Sequence, residues 1–301
     1  DAVCAMDCGN NAYLQQVAVD MVLLPLARQQ EVTADRVEVA AGEFEKYLTP
    51  EGFFFDLPRN GTDYEPLCPP TYIMKMLFLA GICHELHPAP AFERLFQSGM
   101  AAALPLLTRD GQFSYFGRTD NSPFSAVLTI FNLRKAAQMS ACAPGFESAR
   151  RAAERFYLSF PRTAHRLLQS NRFAAADSPA QYRWSRDAYA YVGQYSLASC
   201  AYSLLGAYWF PRPYEDQPAP RRDAPAAAVS NDLGLVKLAA GESTVYLKVR
   251  SEFAARDRRY LGPTILRYER GDRLLVGAIS RTLSTDAVAR PRGNGAANAW
   301  T

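Results

Sequence analysis

A proline-rich stretch divides this chain into two parts in which apolar residues recur with different periods. Residues 211–228, PRPYEDQPAPRRDAPAAA, contain five prolines. Before this stretch apolar residues recur every three or four positions, as on a helix face, whereas after it they alternate with polar residues, as in strands. Proline lacks the backbone N–H that helix and sheet interiors use, so the stretch favours a linker. We therefore predict an α+β multidomain chain: a helical domain at 1–210, a linker at 211–228 and a β domain at 229–301.

Five segments of the first part carry the helical spacing. They begin at Ala12, Tyr72, Phe92, Phe124 and Tyr189. Asparagine, threonine, serine or proline precedes the first, second and fourth of these segments, and such residues are typical of helix caps and first turns. Several segments are apolar on more than one face, which favours helices with neighbours on both sides. Because the connections are long and no repeat interval is constant, we predict helical hairpins arranged in an incomplete (α/α) toroid.

The second part predicts a small number of strands. Alternation begins at Val245, Thr264 and Arg273, and Gly271–Asp272 is typical of a tight turn between two strands. A region of this length holds only a few strands, which is fewer than a two-sheet β-sandwich contains. We therefore predict an antiparallel β domain that is truncated in this sequence.

The composition excludes some classes of partner. The chain has 49% apolar and 21% charged residues, as globular proteins do. The formal net charge is only +3 and no basic run is present, which argues against nucleic acid as a partner. No segment has the roughly 18 uncharged apolar residues of a membrane span, so we expect no membrane partner. The first residue is Asp1 and no signal peptide precedes it, from which we expect a processed or truncated N-terminus and favour a secreted or periplasmic location.

Cysteines and histidines do not form a metal-binding pattern. Cys4 and Cys8 lack a second pair of cysteines or histidines downstream at metal-binding spacing. His84 and His87 are three residues apart, but no third ligand is evident and this segment is typical of a helix end. We therefore expect no metal site and no cofactor.

The most polar loop between two predicted helices spans residues 110–124, DGQFSYFGRTDNSPF. Its candidate functional residues are Tyr115, Arg118, Asp120 and Asn121. A phenol, a cation, an acid and an amide together suit an anionic ligand that is rich in hydroxyl groups. The structural alternative is a loop held by an Arg118–Asp120 pair, with Asn121 or Ser122 as the cap of the next helix.

Polar residues also lie at the predicted starts of two other helices. Asn10 and Asn11 precede the first helix, where one amide suffices as a cap and the second could bind a carboxylate beside the helix N-terminus. Tyr72 follows a loop at 49–64 that is rich in turn residues. Its phenol is either an amphipathic helix start or a group that transfers protons in a cleft.

Aromatic and polar residues alternate in the segment WSRDAYAYVGQY at 184–195. The candidate sugar-binding residues are Trp184, Arg186, Tyr191, Gln194 and Tyr195. Tyr191 and Tyr195 are four residues apart and share a helix face. Aromatic residues at this spacing form either a hydrophobic core or a stacking surface for sugars.

The order of these motifs resembles a known group of enzymes. A helical part, an asparagine at a helix start, the sequence PEGFFFD at 50–56, a tyrosine that opens a helix and the sequence DGQFSYFGRTD at 110–120 are similar to heparinase II/III-like and alginate-lyase-like polysaccharide lyases. The resemblance implies an (α/α) toroid followed by an antiparallel β-sandwich. It also implies that Tyr72 is catalytic and that the helix-start asparagine is Asn11 or Asn10.

The resemblance further implies β-elimination on a polysaccharide that contains uronic acid, with no cofactor. The C5 proton leaves only if the adjacent carboxylate is neutralised, a role that suits Asn11 and Arg118. Tyr72 or Tyr115 would then transfer protons. An anionic polysaccharide or oligosaccharide is the implied partner, held by Asn10, Asp120, Asn121 and the residues at 184–195.

Two departures from the family pattern keep other functions open. Ala12 follows Asn11 where many of these enzymes have histidine, and no histidine occurs after His165. A glycoside hydrolase would need two carboxylic acids, for which Asp56, Asp120 and Asp187 are available. A catalytically inactive carbohydrate-binding protein would need no histidine at all.

Overall fold

The computed structural model describes residues 13–21, 31–55, 69–116, 122–139, 143–160, 194–209, 226–249, 264–271, 273–276, 291–292 and 296–297. Within these residues it contains seven α-helices and a five-stranded antiparallel sheet. The predicted α+β class is therefore confirmed.

Seven helices precede the strands in the chain. They are α1 (13–21), α2 (Ala34–Glu45), α3 (Pro70–Leu86), α4 (Pro90–Ala103), α5 (Pro123–Met139), α6 (Ala143–Leu158) and α7 (Gln194–Trp209), and a single 3₁₀ turn (Leu104–Leu106) follows α4. Proline occupies the first position of α3, α4 and α5, where its missing N–H has no intrahelical acceptor to lose.

Ser122 caps α5. Its Oγ accepts a hydrogen bond from the backbone N–H of Ser125 at 3.2 Å, and the Oγ of Ser125 accepts one from the backbone N–H of Ser122 at 3.2 Å. This reciprocal pair satisfies two donors that the first turn leaves without intrahelical partners. Of the two cap residues that the sequence allowed, the structure uses Ser122.

Helices α3 and α5 run in the same direction. The Nδ2 of Asn132 donates to the carbonyl oxygen of Met74 at 2.8 Å, near the middle of both helices. One turn further along α5, the Nζ of Lys135 reaches Glu85 near the end of α3 at 2.8 Å. A later residue of α5 thus contacts a later residue of α3, as in two helices that run in the same direction.

Helices α5 and α7 also run in the same direction. Near the start of α5 the ring of Phe124 lies 5.8 Å from that of Tyr202, and two turns later the ring of Phe131 lies 6.0 Å from that of Trp209. From the first ring pair to the second, the contact moves by the same number of residues and in the same direction along both helices. Helices α3, α5 and α7 are thus neighbours with a common direction.

Helix α4 runs against α3. Gly99 of α4 packs against Leu77, whereas Phe96, nearly one turn earlier in α4, packs against Gly81, one turn later in α3. Helix α4 therefore ends where α3 begins. We call this end of the helical layer, at which α3 and α5 begin and α4 ends, the sheet end.

The five strands follow one another in the sheet in chain order. They are β1 (Ala227–Ser230), β2 (Leu235–Ala240), β3 (Ser243–Lys248), β4 (Thr264–Arg270) and β5 (Arg273–Val276). Each pairs antiparallel with the next. The predicted strands near Val245, Thr264 and Arg273 are confirmed, and so is the turn at Gly271, whose φ of 55° suits glycine. Strand β1 begins two residues inside the stretch predicted as a linker.

The sheet buries its polar face and exposes its apolar face. The inner face carries Lys237, Thr244, Tyr246, Lys248, Arg267 and Glu269, all of them buried. On the outer face Val229, Leu238 and Ile265 are 63%, 46% and 47% exposed. This arrangement is the reverse of the usual one, in which the apolar face of an antiparallel sheet packs on the core.

The inner face packs against the sheet end of the helical layer. The Nζ of Lys237 donates to the carbonyl oxygens of Pro105 at 2.9 Å and Leu107 at 3.0 Å, just after α4. At the edge of the sheet, the carboxylate of Glu51 accepts hydrogen bonds from the Oγ of Ser230 at 2.5 Å and the N–H of Asn231 at 2.7 Å. The N–H of Glu51 donates in return to Asp232 at 2.9 Å. These reciprocal bonds tie the β1–β2 turn to the segment between α2 and α3.

Candidate functional site

The structure describes four of the residues proposed from the sequence. Tyr72 is the third residue of α3 and is 6% exposed, and Tyr115 lies just before α5 and is 2% exposed. Gln194 and Tyr195 begin α7. The remaining site residues lie outside the described residues, namely Asn10, Asn11, Arg118, Asp120, Asn121, Trp184, Arg186 and Tyr191. Asp56 and Asp187, the other acids considered for hydrolysis, lie outside them too.

Tyr72 and Tyr115 both lie at the sheet end. Tyr72 belongs to the first turn of α3, and Tyr115 belongs to the segment 107–116 that connects α4 to α5. The chain continues from Tyr115 through Arg118 to Ser122, the cap of α5. Helix α7, which begins at Gln194, shares the direction of α5. The structure therefore brings Tyr72, Tyr115 and the start of α5 to one end of the layer.

Helix α1 ends beside the end of α3. The imidazole Nε2 of His87, just after α3, lies 3.0 Å from the carbonyl oxygen of Met21, the last described residue of α1. The C-terminal ends of α1 and α3 are thus neighbours.

Tyr115 is enclosed at the boundary between the helical layer and the sheet. Its hydroxyl donates to the carbonyl oxygen of Leu106 at 3.5 Å, and its ring meets that of Tyr246 edge to face at 5.0 Å. Burial raises the pKa of Tyr115 well above the usual tyrosine value, although the positive charge of Arg267 opposes this. In this environment Tyr115 stays protonated, so it can donate a hydrogen bond but releases its proton less readily than an exposed tyrosine does.

Charged side chains surround this pair of tyrosines. Arg267 donates from Nη2 to Oδ2 of Asp110 at 2.9 Å and from Nε to Oε1 of Glu269 at 2.5 Å. The hydroxyl of Tyr246 donates to Oε2 of Glu269 at 3.4 Å. We call Asp110, Tyr115, Tyr246, Arg267 and Glu269 the interface network.

The ion pairs of the interface network keep Arg267 charged although it is buried. Burial alone lowers the pKa of Arg267, but the carboxylates of Asp110 and Glu269 more than offset this and raise it. Burial, followed by the negative charge of Glu269, raises the pKa of Tyr246 well above its usual value. The network therefore holds a charged arginine and two protonated phenols.

Two buried lysines add positive charge to the inner face of the sheet. Lys237 and Lys248 are each 2% exposed. The Nζ of Lys237 lies 5.6 Å from the centre of the Tyr246 ring, and that of Lys248 lies 5.3 Å from the centre of the Phe116 ring. Lys248 also donates to the carbonyl oxygen of Leu233.

Two buried polar atoms next to Tyr115 have no hydrogen-bond partner among the described residues. They are Oε1 of Gln112 and Oγ of Ser114, and both residues are fully buried. A buried polar atom without a partner is uncommon in folded proteins and lowers the stability of the fold. Segment 107–116 thus contains polar groups that its own contacts do not satisfy.

Sequence reasoning missed most of the interface network. Only Tyr115 was proposed, whereas Asp110, Tyr246, Arg267 and Glu269 were not. The available signal was the alternation in β3, where Thr244, Tyr246 and Lys248 alternate with Val245 and Leu247. That pattern indicates which residues share a face, but it predicts the polar face to be the exposed one.

The sheet end carries charges of both signs. The N-termini of α3 and α5 lie there, and helix N-termini carry partial positive charge. The inner face of the sheet adds Lys237, Lys248 and Arg267, together with the carboxylate of Glu269. The carboxylates of Asp110, Glu51 and Asp232 lie at the same boundary. The charges of these side chains therefore nearly balance.

The described part of the chain was also searched for other kinds of site. It contains no group of three or more histidine, cysteine, aspartate or glutamate residues that could hold a metal ion. Within the same ranges no helix has both the length and the apolar character that crossing a bilayer requires. Comparisons with protein-family models, with curated proteins and with solved structures found no match to this chain.

Proposed function

We propose that this chain is a polysaccharide lyase that cleaves a uronic-acid-containing polysaccharide by β-elimination. The observation that supports the proposal is the common location of two candidate tyrosines at the sheet end. Tyr72 and Tyr115 lie there, and Arg118 precedes by five residues the helix α5, which begins there. Tyr72 and Tyr115 thus lie at the same end of the helical layer although they are far apart in the sequence.

The environment of each residue determines the role that we assign to it in the reaction. The carboxylate of the sugar must be neutralised before C5 can lose its proton, and Arg118, Asn11 and two helix N-termini suit this role. Tyr72 is our candidate for transfer of the proton. Tyr115, whose buried hydroxyl already donates to the carbonyl oxygen of Leu106, suits support of the segment that leads to Arg118 and not direct contact with the sugar.

We also propose the finer fold, an (α/α) toroid with a β-sandwich on one rim. The common direction of α3, α5 and α7 supports the toroid, because the inner helices of such a toroid are parallel. The exposed apolar face of the sheet supports the sandwich, because a second layer of strands would bury Val229, Leu238 and Ile265.

A screen of uronate polymers tests the proposed function. The protein is incubated with alginate, heparan-type, hyaluronan-type and rhamnoglucuronan polymers, and ultraviolet absorbance reports the conjugated double bond that β-elimination creates. We expect absorbance to increase with at least one polymer. Reducing ends without this absorbance would indicate a glycoside hydrolase, and binding without turnover would indicate a carbohydrate-binding protein.

Substitutions test the assigned roles on the polymer that is degraded. Tyr72→Phe removes only a hydroxyl, so we expect kcat to fall by roughly a hundredfold or more with KM nearly unchanged. Arg118→Ala is expected to raise KM and lower kcat together, and Arg118→Lys to recover part of the loss because it keeps the charge but not the bidentate geometry. Tyr268→Phe, which removes a phenol from the outer face of the sheet, is the matched control and should change neither constant. Full activity in Tyr72→Phe would contradict the role of Tyr72.

A further inference from the structure

Asp110 is held on both carboxylate oxygens, from two different parts of the fold. The hydroxyl of Thr108 donates to Oδ1 at 2.5 Å, and the guanidinium of Arg267 donates to Oδ2 at 2.9 Å. Thr108 precedes Asp110 by two residues, whereas Arg267 lies on β4, 157 residues later. Asp110 therefore connects a local turn to the sheet.

The turn around Asp110 is compact. The N–H of Thr108 donates to the carbonyl oxygen of Gln112 at 2.9 Å, and the N–H of Gly111 donates to the carbonyl oxygen of Thr108 at 3.0 Å. Gly111 has a φ of 73° and packs directly on the backbone of α6. A turn held this closely transmits the orientation of Asp110 to the residues that follow it, including Tyr115.

The arginine that binds Asp110 is itself held in place. Arg267 is 4% exposed, and Glu269 accepts a hydrogen bond from its Nε. Glu269 is 3% exposed and also accepts a hydrogen bond from Tyr246. Charge-assisted hydrogen bonds in a site of low dielectric hold their partners in a narrower geometry than surface ion pairs do.

We propose that Arg267 is a positioning residue for the sheet end: it holds Asp110 and thereby sets where the segment that carries Tyr115, and leads to Arg118, enters the site. The inference rests on the proposed function. Arg267 acts through Asp110 and touches no substrate. Its loss displaces the segment and removes no reacting group, so the expected signature is a reduced kcat together with increased motion of the segment.

The test compares Asp110→Asn, Arg267→Lys and the double variant with a matched control. The control is Glu85→Gln, since Glu85 also faces a buried cation, Lys135, but at the opposite end of α3. The exposed fractions of the side chains are also similar. They are 25% for Asp110 and 33% for Glu85, and those of their partners Arg267 and Lys135 are 5% and 2%. Each variant is assayed for kcat and KM on the degraded polymer and for amide hydrogen exchange of peptides covering 108–116.

We expect Asp110→Asn and Arg267→Lys to lower kcat by about ten- to a hundredfold with KM changed by less than about threefold, as for a displacement on the order of 1 Å. Exchange of 108–116 should become faster in both variants and stay unchanged in Glu85→Gln. The double variant should be no worse than the more severe single variant, because both remove the same contact. If Asp110→Asn does not fold, kcat and amide exchange are measured on Arg267→Lys alone, because this variant keeps the positive charge.

Two other results would overturn the inference. One is unchanged exchange and kcat in Arg267→Lys, which would make the pair a purely structural contact. The other is equal loss of kcat in Glu85→Gln, which would mean that general destabilisation lowers activity. If the wild type degrades no uronate polymer, the proposed function fails, while the exchange measurements still decide whether Arg267 holds the segment.

Discussion

Tyr115 and Tyr246 place two phenols in contact inside a boundary from which water is excluded. Each is almost completely buried, and burial raises the pKa of both well above the usual tyrosine value of about 10. The unfolded chain would release these protons near the usual pKa, whereas the folded chain retains them. The stabilisation that this difference represents is therefore fully present below about pH 10 and is lost as the pH rises further.

We predict that the free energy of unfolding falls steeply above about pH 10. Each buried phenol that stays protonated in the folded chain contributes a slope of about 1.4 kcal/mol per pH unit. Tyr115→Phe or Tyr246→Phe should each reduce the slope by about that amount, measured by urea unfolding at a series of alkaline pH values. Tyr208→Phe, on a side chain that is 80% exposed, is the control and should leave the slope unchanged. An identical slope in all three variants would contradict the prediction.

At the scale of elements, the segment 107–116 depends on a close approach to α6. Gly111 has a φ of 73°, and a Cβ at this position would overlap the carbonyl oxygen of Ala149 and lie 2.6 Å from the backbone nitrogen of Ala153. Backbone atoms of a helix cannot yield as the end of a flexible side chain can. Only glycine fits both the conformation and the space.

We predict that Gly111→Ala lowers the free energy of unfolding by roughly 3 kcal/mol or more, because left-handed strain and steric overlap add. Gly241→Ala is the matched control: its φ is 56°, but no atom lies within 4 Å of an added Cβ. That variant should lose only about 1 kcal/mol, from the backbone conformation alone. Thermal or urea unfolding of both proteins measures the difference, and equal losses would show that the contact with α6 is not tight.

Local sequence signals predicted some elements well and others not at all. The helices that contain Tyr72 and Phe124 were predicted with their prolines in the first turn, because proline and serine there have one clear role. Helices α2 and α6 were not singled out. Two of the four buried residues of α2 are alanines, and α6 carries five charged residues between its apolar positions, so the apolar stripe of each helix is narrow. Strand β1 follows immediately after prolines and alanines, which gave no strand pattern.

At the scale of the whole molecule, the orientation of the sheet could not be predicted from its own residues. Alternation in β3 correctly places Thr244, Tyr246 and Lys248 on one face. The usual rule assigns that face to solvent, whereas the structure buries it because the partner surface offers carbonyl oxygens and aromatic rings. The candidate site was predicted only in part for the same reason, since partners such as Asp110 and Arg267 are far apart in the sequence.

The exposed apolar face of the sheet leads to a prediction about the complete fold. If a second layer covers it, Ile265→Thr places a hydroxyl in an apolar contact, and the free energy of unfolding should fall by about 1–3 kcal/mol. Threonine keeps the β-branched shape, so the strand conformation itself is little affected. Val39→Thr, on an α2 side chain that is 66% exposed, should change the stability by less than about 0.5 kcal/mol. No loss in Ile265→Thr would contradict a β-sandwich.

The reciprocal bonds of Glu51 with the β1–β2 turn have a consequence for how the chain acquires its structure. Glu51 and Asp232 are 181 residues apart, so this contact forms only after most of the chain has been synthesised. Until then, the segments after α2 and α4 lack the strands that satisfy their carbonyl and carboxylate oxygens. Contacts of such long range slow folding and prolong the lifetime of partly folded chains. When the helical region leaves the ribosome, its sheet end is therefore still uncovered. The strands that cover this end are synthesised after all seven described helices.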